Sequence, residues 1–308
     1  MSRLPGPGDT ADRLPYAPLA MEIRALLADT CVHVPERLVQ ALPGGGSLFV
    51  MPAHDRRIAI TKLITFTPAN AGTGRPTIQG EVVVFDIATG ERLLVLDGPT
   101  VTARRTAAVS LLAAQWLAPH KQGPLLVIGA GAQGRAHLDA FVEGLGIREV
   151  VIASRSAVSA NALAEHARSL GVKASVVDDP EAALARCPLV VTCTPAQGVV
   201  LDALPRTDAF IAAVGAFTPA MVELGAAFCR HCATNGSVVL DTRDAAHEAG
   251  DLLQAGLDVS SLRTLRDVVG ATLPPPRGPV LFKSCGWAGW DLAAARLAVP
   301  ARLKPSAA

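Results

Sequence analysis

The stretch LLVIGAGAQG, residues 125–134, constrains the fold more than any other part of the chain. An apolar run ends on three glycines spaced Gly129-x-Gly131-x-x-Gly134, and a helix-like segment follows at once. Each glycine has a physical task. Gly129 lets the chain turn sharply off a strand, Gly131 lets backbone approach a pyrophosphate, and Gly134 lets helix and strand pack closely. A second apolar run over 149–154 follows at βαβ spacing. The motif therefore predicts a dinucleotide site whose phosphates meet a helix N-terminus, with Gly129, Gly131, Ala132, Gln133 and Gly134 as cofactor-binding residues.

The alternation continues with a helix over 156–170, a strand over 174–177, a helix from Pro180, and strands over 189–193 and 209–214. This pattern predicts an α/β fold built on a Rossmann doubly wound parallel sheet. Where NAD-binding sheets place an acidic residue against the ribose, this chain has Ser154, Arg155 and Ser156. A guanidinium flanked by hydroxyls suits a 2′-phosphate, so NADPH is the expected cofactor, with NADH possible.

The first hundred residues have a different texture. An amphipathic helix is expected over 16–27, with Leu19, Ile23 and Leu26 at helical spacing. Strand-like runs follow over 47–51, 57–66, 77–86 and 91–96, the last two joined by a hairpin turn at 87–90, and together they predict an antiparallel meander. Within it, Ile58, Ile60, Lys62, Ile64 and Phe66 share one face. A lysine in an apolar row must meet an anion, lose its proton or reach out of the core; the anion is either a ligand or a structural carboxylate. A helix over 101–117 then carries Arg104 and Arg105 near its start, where positive charge opposes the helix dipole. Arg105 shares a face with Ala108, Val109 and Leu112 and so points inward, which suits a ligand carboxylate held jointly with the helix start, or else a buried Asp or Glu. Arg104 is the one expected to make a structural pairing with an acid.

Composition narrows the partners. The 308 residues are half hydrophobic, enough for two domains, and 28 Lys and Arg against 27 Asp and Glu leave a net charge of +1. No electrostatic footprint for nucleic acid or an anionic membrane exists, so a small substrate is expected. No signal-like apolar segment follows Met1, and no apolar run reaches spanning length, so a cytoplasmic protein is expected. Six scattered cysteines do not form a disulfide framework. Cys229 and Cys232 make a CxxC without a second pair and read as incidental cysteines on a helix, so no metal site is expected.

Taken together, Lys62 after Met51-Pro52, the TARRTA segment at 102–107, the GAGAQG fingerprint, EAGD at 248–251, FKSCG at 282–286 and DLAAA at 291–295 resemble the ornithine cyclodeaminase/mu-crystallin family over about residues 16–300. Among its members the chain looks most like bacterial Δ1-pyrroline-2-carboxylate reductases. The resemblance implies a homodimer with a discontinuous α+β substrate-binding and dimerisation domain, 1–117 with 284–308, around a Rossmann domain, 118–283. It further implies that Arg37, Lys62 and Arg105 bind the substrate carboxylate. Cyclodeaminases of this family carry an acid/base aspartate where this chain has Phe217, and a glutamate where it has Phe49; two phenylalanines suit an apolar ring.

The expected function is NAD(P)H-dependent reduction of a cyclic α-imino acid, Δ1-pyrroline-2-carboxylate and Δ1-piperideine-2-carboxylate, to L-proline or L-pipecolate. Phe217 and Thr218 join Arg37, Lys62 and Arg105 as expected substrate-binding residues. Lys62 is the candidate catalytic group, and a water held by Thr218 is the other candidate proton source. The alternatives are an ornithine cyclodeaminase, an alanine-type amino-acid dehydrogenase, and a crystallin-like protein that binds NADPH and a ligand without turnover.

Overall fold

The computed structural model of the protein describes residues 6–70, 73–195, 197–270, 276 and 278–300. It divides into two compact units, Met1–Arg105 with Trp287–Ala308, and Thr106–Gly286. In the first, α1 (Pro7–Asp12) and α2 (Tyr16–Ala28) precede five antiparallel strands that lie side by side in chain order: β1 (Leu38–Leu42), β2 (Gly46–His54), β3 (Ile58–Phe66), β4 (Ile78–Asp86) and β5 (Arg92–Asp97). The meander is the expected one plus β1, whose mostly exposed residues carry no alternation to reveal it.

Pairing carries the buried face of β3 across the sheet. Met51, Lys62, Val82 and Leu96 stand opposite one another on β2, β3, β4 and β5, and all four are buried. Directly paired residues point to the same side, so Phe49, opposite Ile64, shares this face with Lys62. Leu19, Ile23 and Leu26 of α2 are fully buried in the same unit.

Helix α3 (Gly98–Leu117) begins three residues earlier than its apolar periodicity suggests. The Asp97 carboxylate accepts the Thr100 N–H at 2.9 Å, and Pro99 occupies a first-turn position that needs no N–H. Arg104 and Arg105 therefore lie about two turns into the helix, beyond the first turn where its dipole acts. The expected role of the helix start in holding a carboxylate beside Arg105 is not available. Among the described residues no acid pairs with Arg104: its Nε donates to the Leu14 carbonyl at 2.6 Å, and its guanidinium lies 4.0 Å over the Tyr16 ring.

The second unit runs β6 (Leu125–Ile128), α4 (Ala132–Leu145), β7 (Glu149–Ala153), α5 (Ala157–Ser169), β8 (Lys173–Val177), α6 (Pro180–Leu184), β9 (Leu189–Thr192), β10 (Gln197–Leu201) and β11 (Phe210–Ala213). It continues with β12 (Val222–Leu224), α7 (Ala226–Asn235), β13 (Ser237–Leu240), α8 (Gly250–Gln254), β14 (Arg263–Thr264), α9 (Leu265–Val269) and β15 (Val280–Lys283). Eight strands form a parallel sheet in the order β14-β13-β15-β11-β9-β6-β7-β8, and β10 pairs with β12 separately. Every residue of β6, β9, β11 and β15 is buried, as a sheet covered on both faces requires. From β6 the order runs through β7 and β8 on one side and through β9 and β11 on the other, so the switch point lies between β6 and β9. Cys229 and Cys232 sit buried on α7, their thiols pushed up to about 12 by burial.

The chain ends its described course in α10 (Ala288–Ala298), which packs against α2, β2 and β3 of the first unit. Among the described residues, no helix is long and apolar enough to cross a membrane.

Candidate active site

At the switch point the glycines do what their spacing demands. Gly129 leaves β6 with φ of +106°, and a Cβ there would stand 2.8 Å from the Cys193 carbonyl oxygen. A Cβ on Gly134 would stand 2.0 Å from the Gly129 carbonyl oxygen, so α4 rests directly on the turn. A Cβ on Gly131, by contrast, would meet nothing within 4 Å, which leaves the backbone open on the side a ligand must use. Gly131 caps α4 without a side chain and no acid occupies the first turn, formed by Ala132, Gln133 and Gly134. The N–H groups there are left to an anion, and the cradle fits a dinucleotide pyrophosphate.

Behind the cradle, His137 Nδ1 donates to the Gln133 carbonyl at 2.8 Å, and Nε2 accepts from the Ser110 hydroxyl at 3.0 Å. Burial pushes its pKa down to about 4, so the ring is neutral and that tautomer follows. Ser154, Arg155 and Ser156 leave the carboxyl end of β7. The Ser156 hydroxyl caps α5 by accepting the Ser159 N–H at 3.2 Å, while Arg155 is exposed.

The loops after β9 and β11 are tied to one buried carboxylate. Glu223 Oε1 accepts the Thr194 N–H at 2.6 Å and its hydroxyl at 2.9 Å; Oε2 accepts from the Thr192 hydroxyl at 3.0 Å and the N–H groups of Gly215 at 2.7 Å and Ala216 at 3.2 Å. Glu223 is itself placed by Asp251, whose Oδ1 accepts the N–H groups of Glu223 and Leu224 and whose Oδ2 pairs with Lys283 at 2.6 Å. Asp241 likewise gathers the Ser284 hydroxyl at 2.8 Å and the N–H groups of Cys285 at 3.1 Å and Gly286 at 2.9 Å. These networks give physical roles to the segments 248–251 and 282–286. Phe217, 41% exposed, and Thr218 ride on the loop that Glu223 secures.

In the first unit, Lys62 and Arg105 converge on the residue that opens the DLAAA segment, to which the sequence reading gave no role of its own. Asp291 of α10 is fully buried; Lys62 Nζ lies 3.1 Å from its Oδ1 and 2.9 Å from its Oδ2, and Arg105 Nε lies 3.3 Å from Oδ1. Lys62 also donates to Thr102 Oγ1 at 3.5 Å, a hydroxyl that itself donates to the Gly98 carbonyl. Arg105 Nε and Nη1 are both buried with no hydrogen-bond partner among the described residues. Burial lowers the Lys62 pKa to about 8; Arg105 and Arg37 push the same way, and Asp291 opposes them. Arg37 is thereby placed within electrostatic reach of Lys62.

Residues 24–303 match the model of the ornithine cyclodeaminase/mu-crystallin family. The chain belongs to that family. It is 38% identical over 293 residues to a Δ1-pyrroline-2-carboxylate/Δ1-piperideine-2-carboxylate reductase of Azospirillum brasilense, covering 94% of this chain and 93% of the relative. It is 39% identical over 296 residues to Δ1-pyrroline-2-carboxylate reductase 1 of Burkholderia multivorans, with 94% and 93% covered. Its fold is that of the Thermococcus litoralis Δ1-pyrroline-2-carboxylate reductase solved with NADH and L-proline, at a TM-score of 0.83 and 23% identity over 96% of this chain and 93% of that one.

In this ornithine cyclodeaminase/mu-crystallin family member, Lys62 and Arg105 meet at Asp291 with Arg37 in electrostatic reach; the sequence reading gave Asp291 no role beyond opening the DLAAA segment and did not name Glu223. Asp291 carried a usable signal, since it is an acid inside the otherwise apolar run AGWDLAAA. By the cost of burying a charge, such a residue needs a cation from elsewhere, and Lys62 was in need of an anion. Glu223, inside a three-residue strand, carried none.

Proposed function

We propose that this protein reduces cyclic α-imino acids, Δ1-pyrroline-2-carboxylate and by the same chemistry Δ1-piperideine-2-carboxylate, to L-proline or L-pipecolate. The observation that carries the reading is the buried Lys62–Asp291–Arg105 cluster, with an orphaned guanidinium N–H, in a chain so similar over its length to named reductases. A carboxylate is the ligand that satisfies such an N–H. Phe49, Phe217 and the apolar row around Lys62 favour a ring over a flexible diamine.

Little chemistry is asked of the residues. Arg105, Arg37 and Lys62 anchor the carboxylate, which fixes the C=N bond in the site. Residues 129–134 would hold a nicotinamide dinucleotide, which when bound would supply the hydride taken up by the C=N carbon. As that carbon gains its new bond, the π pair moves to nitrogen, which needs one proton. Lys62, with a pKa of about 8, can give that proton at neutral pH and regain it from solvent. Thr218, on the loop after β11, is available to hold a water in the same service. Arg155 at the end of β7 favours NADPH over NADH through its 2′-phosphate.

On this reading the first unit is the substrate-binding and dimerisation part and the second is the dinucleotide-binding part. The face of the sheet opposite Lys62 leaves Leu38 57% and Leu63 45% exposed on one cross-strand row, either side of Val50, which supports a homodimer formed there. The described cysteines are all free, in keeping with a cytoplasmic protein. The test is dinucleotide oxidation with a panel of substrates. Turnover of the five- and six-membered cyclic imines is expected, with no ammonia released from L-ornithine. Ornithine-dependent ammonia release would favour a cyclodeaminase, ammonia-dependent reduction of an open-chain 2-oxo acid an alanine-type dehydrogenase, and binding without turnover a crystallin-like role.

A further inference from the structure

We propose that Asp291 is a positioning residue that holds Lys62 in its charged, proton-donating form and keeps Arg105 close by with N–H groups left for the substrate carboxylate. The proposal rests on the reductase reading for its purpose, but its physical content concerns the free protein. Lys62 is packed on every side by groups that decide its charge. From α10 comes the one anion, Asp291; from α3 come the Arg105 cation and the neutral Thr102 hydroxyl; from the segment before β1 comes the Arg37 cation. Its neighbours across the sheet, Met51 and Val82, bring no charge.

Two cations and burial all favour a neutral amine, which has no proton to give to an imine nitrogen. Asp291 is the single group among these that favours the ammonium. The same carboxylate holds Arg105. Nε lies 3.3 Å from Oδ1 as an ion-pair contact that makes no hydrogen bond, and Nη1 is buried and likewise without a hydrogen-bond partner among the described residues, so the guanidinium is held near Asp291 with donors to spare. A carboxylate entering there finds a preset donor, and its charge adds to that of Asp291 in holding the Lys62 proton. Binding and protonation of the donor are then linked events, with Asp291 setting the starting point.

The experiment follows Lys62 directly by NMR of protein labelled with 13C at lysine Cε, the Lys62 resonance being the one lost in Lys62→Met. In the free wild type it is expected to titrate near 8. In Asp291→Asn it should titrate about one to three pH units lower. Arg105→Met, which removes a cation and does not depend on the Asn variant folding, should move it upward. In turnover of Δ1-pyrroline-2-carboxylate, Asp291→Asn should move the alkaline limb of kcat/KM down by the same interval while the Kd for NADPH stays put. Asp291→Glu should keep the limb and raise KM, because charge is retained and Arg105 is displaced. An unmoved Lys62 titration in both Asp291→Asn and Arg105→Met, or a uniform loss of rate in Asp291→Asn with the limb in place, would overturn the proposal. If the wild type reduces no cyclic imine, the reductase reading fails, and the titration still decides what Asp291 does to Lys62.

Discussion

Lys62 and Lys283 are both buried, and each faces one aspartate, Asp291 at 2.9 Å and Asp251 at 2.6 Å. Burial presses both toward the neutral amine. Around Lys62 the surplus is cationic, Arg105 and Arg37, and its pKa falls to about 8. Around Lys283 the surplus is anionic: the carboxylates of Asp251 and Glu223 offset burial, and its pKa is held above the ordinary lysine value. Asp251 and Glu223 use their acceptors on backbone N–H groups and, for Glu223, the Thr192 and Thr194 hydroxyls, whereas the first cluster keeps buried N–H groups on Arg105 without a hydrogen-bond partner among the described residues. A closed network of this kind fixes loops, and an open one with excess positive charge waits for an anion.

The largest expected effect tests the closed network. Lys283→Met leaves Asp251 and Glu223 as buried acids without their cation, and should cost about 3 to 5 kcal/mol of stability by denaturant unfolding. Lys62→Met leaves Asp291 still paired with Arg105 and should cost less than half as much. Equal losses from the two substitutions would erase the distinction drawn between the two lysines.

Activity should single out the first cluster. On the proposed reading Lys62→Met and Arg105→Met each remove a buried charge that would meet the substrate carboxylate, so kcat/KM for the cyclic imine should fall by about 2 to 5 kcal/mol, roughly thirtyfold to several thousandfold. Dinucleotide affinity, measured by fluorescence titration, should stay near wild type, since that cradle is built from residues 129–134 of the other unit. Parallel loss of dinucleotide binding would move both residues out of the substrate site.

The contrast also has a pH signature of opposite sign. Lys62 loses its proton near 8 in the folded chain and near 10.5 when unfolded. Over that interval the unfolded chain binds more protons, so this group adds stability as pH rises, by roughly 3 kcal/mol at the upper end. Lys283, with its pKa raised, contributes stability that is fully present below 10.5 and lost only as pH climbs through its folded value. Unfolding curves from pH 7 to 10 should therefore rise more steeply for wild type than for Lys62→Met. Parallel curves would place the Lys62 pKa at its ordinary value.

What could be read in the sequence follows the range of each interaction. The glycine cradle was legible because its demands are local, a positive φ at Gly129 and no room at Gly134. Lys62 was legible because period two puts it in a row of isoleucines, though the carboxylate it needed lies 229 residues away in the chain. The start of α3 was misplaced by following apolar spacing, when Asp97 and Pro99 held the local capping signal. The short strands β13, β14 and β15 were not distinguished, because two to four apolar residues carry no period of their own. Glu223 was out of reach, since its five hydrogen-bond donors come from residues 192, 194, 215 and 216, at the end of β9 and on the loops after β9 and β11, which only the sheet brings together.

The smallest effect asks whether charge in the second unit is only scaffold. Arg155 is exposed at the carboxyl end of β7, beside the strand that carries the glycine turn, and no buried network claims it among the contacts described. Ser156, next to it, already spends its hydroxyl on capping α5, so the guanidinium is the stronger of the two groups left for a 2′-phosphate. A charge-assisted contact of this kind contributes about 1.5 to 3 kcal/mol, reduced at an exposed position by solvent, so Arg155→Ala should narrow the preference for NADPH over NADH by roughly tenfold. The measurement is kcat/KM for each dinucleotide at saturating imine, repeated at low and high salt. A preference that narrows in the variant and fades with salt in the wild type fits a phosphate contact at the surface. A wild type indifferent to the 2′-phosphate, or a variant with its preference intact, would leave Arg155 as an ordinary surface charge and return cofactor choice to the loops that Glu223 holds.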